Sequence, residues 1–210
     1  MNIDELLVAD SPSAWRAAGF TVEDDLCRIG SVRVRLVGRE RGTGVIGWSL
    51  RDVPEEYVGP LPDGLDGLPT TLSQAPPSEP AEHALGVTQL DHSVLASPDL
   101  ARTIKALAAI GLEPRRERDT ELGGAPLRQV FFRLGEVILE LIGSPDATGP
   151  GPTTVWGLTH TVGDIDAAAA LLGERAGRVR AAVQPGRRIT TLRHRALDIS
   201  VATALITPKP

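Results

Sequence analysis

Hydrophobic and polar residues alternate in a pattern that recurs along the chain and predicts several copies of one structural unit. Residues 27–38, CRIGSVRVRLVG, align with residues 132–143, FRLGEVILELIG, with Gly30 opposite Gly135. Both segments have the alternation of two strands that turn at a glycine. Upstream of each, AWRAAGFTV is similar to ALAAIGLEP, with a glycine where a helix ends. The pattern therefore predicts a helix followed by a hairpin in each copy.

A third copy begins at Val155, where VWGLTHTVGDID matches TQLDHSVLASPD and RITTLR matches RQVFFR. A fourth, incomplete copy is expected from GVIGWSL onward. Each complete copy predicts a strand, a helix and three further strands, with a strand at 87–96 and a helix from Asp99 to Ile110 in the best-defined copy. A unit of about 55 residues cannot bury both its helix and its sheet, so two units must pair. The predicted fold class is α+β, with paired βαβββ modules that form a cup from a curved mixed sheet.

Proline marks the expected boundary between the two halves of the chain. Seven of the 17 prolines fall between Pro54 and Pro80, where a regular helix or a central strand is disfavoured. We expect a proline-rich linker over 54–85. It would separate a degenerate βαβββ-like module at 1–53 from paired modules at 86–145 and 153–208, which together form the domain at 86–208. Residues 1–53 are expected to pack against this pair.

Composition narrows the class of protein. With 41% hydrophobic and 23% charged residues, the chain is typical of a soluble globular protein, and it has no apolar run long enough for a membrane helix. The acidic start lacks the features of a secretory signal, so we expect a cytoplasmic protein. The single cysteine, Cys27, is expected to be a small core residue. A net charge of −5 argues against nucleic acid, and we interpret the arginine-rich segment 175–195 as a solvated edge.

The segments LDHSVLASPDL, FFRLGEVILELIG and GLTHTVGDIDAAAALLG together resemble the vicinal oxygen chelate superfamily. That superfamily includes glyoxalase I, bleomycin-resistance proteins, extradiol dioxygenases and methylmalonyl-CoA epimerase. The resemblance covers 86–208 well and 1–53 weakly. It implies a glyoxalase-like cup with metal ligands on the first and last strand of each module. Carried over to this chain, the ligands fall on His92, Glu140 and His160, and the fourth position falls on Ala204, which cannot bind a metal.

The residues themselves give a parallel argument. On strict strand alternation, His92 and His160 point inward among apolar neighbours, and Asp91 points the other way. Glu140 lies on a strand that is apolar on both sides, and a buried carboxylate needs a partner or a ligated ion. Two histidines and one carboxylate are the ligand set of a facial metal site with open positions.

Other interpretations of these residues stay open. A lone inward histidine is more often a hydrogen-bonded core residue than a ligand, and Glu140 could pair with Arg133, Arg193 or His92. Arg133, Arg193 and Trp156 are candidate substrate-binding residues, since arginine suits a carboxylate or phosphate. The alternative for both arginines is an outward position facing solvent.

In the N-terminal half, the equivalent positions fall on Glu5 and Arg35, with Trp48 in the incomplete copy. No metal site can be built from these three residues. Glu5 and Arg35 are instead expected to form an internal ion pair, which makes this half structural.

The leading functional hypothesis is a glyoxalase-like enzyme of the lyase, isomerase or dioxygenase type. It would use one divalent metal ion (Fe, Mn, Ni, Zn or Mg) to act on a substrate with adjacent oxygens, with Glu140 as the catalytic residue. The alternative is a metal-free small-molecule binding or drug-sequestering protein that uses the same cup. A degenerate module pair with a structural role is the third possibility. The expected partners are a small-molecule ligand and a second copy of the chain in a homodimer, with no nucleic acid and no membrane.

Overall fold

The computed structural model describes residues 1–57 and 64–209. Residues 58–63 of the predicted linker lie outside them. The strands are β1 (Asn2–Val8), β2 (Leu26–Ile29), β3 (Val32–Leu36), β4 (Val45–Arg51), β5 (Thr70–Ser73), β6 (Val87–Ala96), β7 (Arg116–Leu122), β8 (Ala125–Leu134), β9 (Val137–Gly143), β10 (Thr154–Val162), β11 (Arg180–Ala181), β12 (Arg188–Thr191) and β13 (Ala202–Ile206). The α-helices are α1 (Pro12–Ala17), α2 (Leu100–Ala108) and α3 (Ile165–Leu172). Short 3₁₀ helices cover Arg39–Arg41, Glu55–Tyr57, Gly173–Arg175 and His194–Leu197.

The C-terminal half is built on two adjacent strands, β6 and β10, which pair antiparallel. Strand β9 lies parallel to β6 and is followed outward by β8 and β7. In the same way, β13 lies parallel to β10 and is followed by β12 and β11. Each side is one βαβββ module, and the two modules join through their first strands. This arrangement confirms the predicted fold class of paired modules in a mixed sheet.

The N-terminal half repeats this plan in shortened form. Strand β1 lies parallel to β3 and antiparallel to β4, while β5 lies parallel to β4 as β13 does to β10. Strand β5 falls inside the predicted linker, so that part of the segment forms an edge strand. The predicted ion pair between Glu5 and Arg35 forms at 3.0 Å. Strand β4 also bridges to β10 through Val45 and Val155, and this bridge makes the two halves one sheet.

The helices begin where the sequence provides capping side chains. Asp99 caps α2 by accepting a hydrogen bond from the Arg102 amide at 3.0 Å, and Asp164 caps α3 in the same way. Helix α2 buries Leu100 and Leu107, the apolar positions that its period predicts. Among the described residues, no helix is long and apolar enough to cross a membrane.

A buried carboxylate fastens the two halves together. Asp10, at the end of β1, is fully buried and accepts hydrogen bonds from the Trp15 indole at 3.0 Å and the Ser200 amide at 2.9 Å. The Ser200 hydroxyl in turn accepts a hydrogen bond from the Gly44 amide at 2.7 Å. The loop before β13 is therefore held by residues from the opposite end of the chain.

A second carboxylate, Asp66, ties the proline-rich segment to the C-terminal half. It accepts hydrogen bonds from Arg102 and from the hydroxyls of Thr103 and Thr153, the last at 2.8 Å. We expect Asp66→Asn to lower the free energy of unfolding in urea by about 2 kcal/mol, because an amide accepts these bonds more weakly than a carboxylate. Asparagine tolerates the positive φ of 51° at this position, so backbone strain does not contribute. The exposed Asp146 provides the control: Asp146→Asn should change stability by less than about 0.5 kcal/mol, and equal effects would contradict the assignment.

Candidate functional site

The candidate site lies on one face of the sheet formed by the two C-terminal modules. His92 on β6 is opposite Thr159 on β10, and Thr159 is beside Ala204 on β13. Val94 on β6 is beside Glu140 on β9. Residues paired across neighbouring strands point to the same side of a sheet. These five residues therefore share what we call the cup face.

The opposite side, which we call the buried face, is closed. It carries Ser93, Leu95, Leu158, His160 and Leu205, each of which is at most 1% exposed. The cup face is more open, since His92 and Glu140 are only partly buried. A ligand can reach the cup face without displacing core side chains.

A β-bulge in β6 turns the Asp91 side chain toward His92. The pairing steps from His92–Thr159 to Leu90–His160, which leaves Asp91 as the extra residue. The Asp91 carboxylate accepts a hydrogen bond from His92 Nδ1 at 2.9 Å. Strict alternation predicted that Asp91 points away from His92, and that expectation is wrong because the bulge interrupts the alternation.

Asp91 is also held by Arg187, and both side chains are 2% exposed. Two guanidinium nitrogens donate to the carboxylate, at 2.5 and 3.2 Å. Burial raises the pKa of Asp91, but the hydrogen bonds from His92 and Arg187 outweigh it and hold this pKa below its usual range. Because the carboxylate is ionised, it accepts the Nδ1 proton of His92, and Nε2 is the ring nitrogen that points away from this pair.

His160 lies on the buried face, on the side of the sheet opposite to His92. Its ring centroid is 5.5 Å from that of Phe20 and 6.5 Å from that of Trp15, both residues of the N-terminal half. Neither ring nitrogen has a hydrogen-bond partner among the described residues. Burial, together with the nearby His83 and His92, lowers the pKa of His160 to about 3. The predicted trio of His92, Glu140 and His160 therefore does not assemble, because neighbouring residues on a strand face opposite sides.

Glu140 is held by an amide rather than by an arginine. It accepts a hydrogen bond from Gln129 Nε2, and Gln129 Oε1 accepts one from Arg118 Nε at 2.8 Å. Arg133 is exposed on β8, and Arg193 is exposed after β12. Neither arginine forms an ion pair with a described residue, so the pairing of Glu140 with either of them does not occur.

A cavity of about 300 Å³ opens on the cup face between β10 and β13. Its lining includes the small residues Gly157, Ala202 and Ala204, with Trp156 beside them. A methyl group at Gly157 would lie 3.1 Å from the Ala202 carbonyl oxygen, so this position has little room for a larger side chain. Trp156, at a second bulge in β10, is 57% exposed. It presents an aromatic ring to solvent at the edge of the cavity.

Polar groups are few in this cavity. Thr159 is 5% exposed, and its hydroxyl makes no hydrogen bond to another side chain or to the backbone in the described part of the chain. Thr191 and His194 also contribute to the lining. His194 donates its Nδ1 proton to the Ile199 carbonyl oxygen at 2.9 Å, which leaves its Nε2 free to bond to a ligand. No lysine or arginine is found among the described lining residues.

Comparison with known protein families identifies the group to which this fold belongs. Residues 91–191 match the model of the Glyoxalase/Bleomycin resistance protein/Dioxygenase superfamily. This segment belongs to the superfamily. The predicted resemblance is thereby confirmed. A comparison with curated proteins found no match to the sequence.

Solved structures of this superfamily's fold are similar over nearly the whole chain. A mutant of 4-hydroxymandelate synthase from Streptomyces coelicolor is 18% identical, with 99% of this chain and 92% of that chain covered and a TM-score of 0.66. A catechol 2,3-dioxygenase is 14% identical, with 100% and 94% covered and a TM-score of 0.61. An extradiol ring-cleaving dioxygenase from B. fuscum is 15% identical, with 100% and 72% covered and a TM-score of 0.59. At these identities the likeness concerns the fold alone.

The superfamily's ligand positions can now be located from the geometry instead of the sequence alignment. His92 and Gly157 each lie seven residues before the helix N-cap of their module, Asp99 and Asp164. His160 is thus displaced by three residues from the position that corresponds to His92. The strand pairing makes Ala204 the equivalent of Glu140, as the sequence predicted.

A metal ion does not fit the residues at these positions. Only His92 and Glu140 have side chains that can bind one, because Gly157 and Ala204 offer no donor atom. Within residues 1–57 and 64–209, no three His, Cys, Asp or Glu side chains are grouped to hold a metal ion. The donor set therefore disagrees with the metal site that the resemblance implied.

Sequence reasoning missed the residues that organise His92. Asp91 is its immediate neighbour in sequence, and the bulge that turns it inward depends on pairing with β10. Arg187 was grouped with the solvated arginines of 175–195, yet it is 3% exposed. The next residue, Arg188, is exposed and pairs with Asp166. Because the two arginines are adjacent in the same arginine-rich segment, the sequence does not distinguish the buried one from the exposed one.

Proposed function

We propose that the protein binds a small organic molecule on the cup face of its C-terminal half without a metal ion. The observation that carries this proposal is that Gly157 and Ala204 line a cavity at two of the superfamily's four ligand positions. Neither residue offers a metal donor, and the small side chain of Ala204 leaves space in the cavity. The space left open suits a ligand at the small end of the range for organic molecules.

The chemistry of the cavity favours a flat, largely apolar ligand. The small residues Gly157, Ala202 and Ala204 offer an even surface, and the Trp156 ring stands next to them with more than half of its area exposed. An exposed tryptophan stabilises a planar ligand by burying area on both partners and by stacking. Trp156, a candidate from the sequence, keeps a substrate-binding role in this proposal. Arg133 and Arg193 do not, because neither contributes to the cavity.

Metal-dependent catalysis is not part of this proposal, because His92 and Glu140 alone provide fewer donors than the known catalytic sites have. Formation of a homodimer and a cytoplasmic location stay predictions from the sequence.

A fluorescence titration tests the proposal. The neutral probe N-phenyl-1-naphthylamine should bind the full chain in the presence of EDTA and gain emission intensity. We expect Ala204→Leu to weaken this binding at least about tenfold, because the added side chain fills the cavity. The matched control is Ala101→Leu, the same enlargement at an exposed residue of α2, and it should bind as the parent does.

Two outcomes would overturn the proposal. Binding that EDTA abolishes and that Fe²⁺, Mn²⁺ or Zn²⁺ restores would show that a metal is required. Equal binding by the parent and by Ala204→Leu would show that the probe does not occupy this cavity.

A further inference from the structure

Two histidines near the cavity are each held through one ring nitrogen. His92 is next to the cavity. Thr159, which pairs with His92 on the adjacent strand, and Val94, two residues further along β6, both line it. The Nδ1 proton of His92 is committed to Asp91, so Nε2 is the ring nitrogen left to bond to a ligand. His194 has the same arrangement toward Ile199. In both imidazoles, Nδ1 is thus engaged within the protein and Nε2 is free to bond to a ligand.

Thr159 provides a second, independent observation. More than nine-tenths of this residue is buried, it lines the cavity, and its hydroxyl has no partner in the described part of the chain. This hydroxyl is accessible from the cavity and is free to form a hydrogen bond with a ligand. Thr159 lies directly opposite His92, so a single ligand group between them can bond to both.

Charge on the cup face disfavours an anion. The guanidinium of Arg187 is neutralised by Asp91, and no lysine or arginine lines the cavity in the part of the chain that the structure describes. Glu140 is on the same face with an amide as its partner, so a carboxylate or phosphate would meet like charge. A neutral group that donates a hydrogen bond avoids this repulsion and can bond to Nε2 of His92.

We propose that the ligand is a neutral planar molecule with a hydroxyl group, which donates to His92 Nε2 and accepts from the Thr159 hydroxyl. This inference rests on the proposed function, since it names the class of molecule that the cavity takes. Asp91 and Arg187 are positioning residues: they fix the tautomer and the orientation of His92 without touching the ligand. His92 and Thr159 determine specificity for the hydroxyl.

Three probes that share the naphthalene ring system test this inference. Each is measured by displacement of N-phenyl-1-naphthylamine at neutral pH. We expect 2-naphthol to bind at least about tenfold more tightly than naphthalene, and 2-naphthoate to bind no more tightly than naphthalene. In the His92→Phe variant, which keeps a planar side chain, the preference for 2-naphthol over naphthalene should fall to within about twofold. Thr159→Val should lower the affinity for 2-naphthol and leave that for naphthalene unchanged.

The matched control is Arg133→Met, an exposed position on β8 that should leave all affinities unchanged. If naphthalene and 2-naphthol bind the parent equally, or if 2-naphthoate binds best, the ligand class is wrong while the proposed function stands. If His92→Phe keeps the full preference for 2-naphthol, the role of His92 is wrong. If none of the probes displaces N-phenyl-1-naphthylamine, or if that probe itself does not bind, the proposed function fails.

Discussion

Arg187→Met should destabilise the protein by about 3–5 kcal/mol, the cost of leaving a buried carboxylate without its partner. Arg187 and Asp91 are each 2% exposed at the side chain, so water cannot replace the lost guanidinium. Methionine keeps a similar volume, and the loss therefore reports the charge and its hydrogen bonds. Urea unfolding at neutral pH, followed by circular dichroism, measures the difference in the free energy of unfolding.

The neighbouring residue is the control for this prediction. Arg188 pairs with Asp166, but these side chains are 49% and 65% exposed, so Arg188→Met should cost less than about 1 kcal/mol. A double variant with Arg187→Met and Asp91→Asn should recover part of the loss, because it no longer buries an unpaired charge. If Arg187→Met and Arg188→Met have equal effects, Arg187 is not the buried partner of Asp91.

Acid should destabilise the protein through His160, and His160→Leu should remove most of that effect. In the folded state the pKa of His160 is lowered to about 3 by burial and by His83 and His92, whereas an unfolded histidine titrates near about 6.5. Between these values the unfolded chain binds a proton that the folded chain excludes. The stabilising contribution is therefore complete above about pH 6.5 and is lost as the pH falls toward 3.

The measurement is the free energy of unfolding at several pH values between 7 and 4. Each unit below about pH 6.5 should cost the parent on the order of 1 kcal/mol more than it costs His160→Leu. Carboxylates such as Asp91 titrate equally in both proteins, so the difference isolates His160. Binding of N-phenyl-1-naphthylamine at pH 7 should be unchanged in His160→Leu, because His160 lies on the buried face. Parallel pH profiles, or lost binding at pH 7, would contradict that placement.

The alternation of hydrophobic residues, the turn glycines and the capping residues predicted those strands, turns and helices that depend on residues close in sequence. The strand at 87–96 coincides with β6, and the turns at Gly30 and Gly135 have nearly the same positive φ, 58° and 57°, a conformation that glycine adopts without strain. The helix expected from Asp99 to Ile110 forms at Leu100–Ala108, with Asp99 as its cap. The repeat was therefore sufficient to derive paired modules.

The candidate site was harder to predict, because it depends on how strands are matched. One extra residue in β6 brings the Asp91 carboxylate into hydrogen-bonding contact with His92. In β10, the position equivalent to His92 is Gly157, three residues before His160. Nothing in the local sequence at Asp91 marks a bulge, since the bulge arises only when β6 pairs with β10. The alternation of side chains along a strand assigns each residue to a face of the sheet only after the pairing register of the strand is known.

The hydrogen bond between Asp10 and the Ser200 amide spans 190 residues of sequence, and this separation bears on how the protein is made. The N-terminal half leaves the ribosome first, but Asp10 and the indole of Trp15 receive their enclosing partners only when the segment before β13 has been synthesised. Contacts between such distant residues slow folding, because a long loop must close before they form. Until then, the surface around Asp10 and Trp15 lacks its covering from the C-terminal half, a period in which chaperones can engage it. Completion of the sheet at its final strand is the event that ends this exposure.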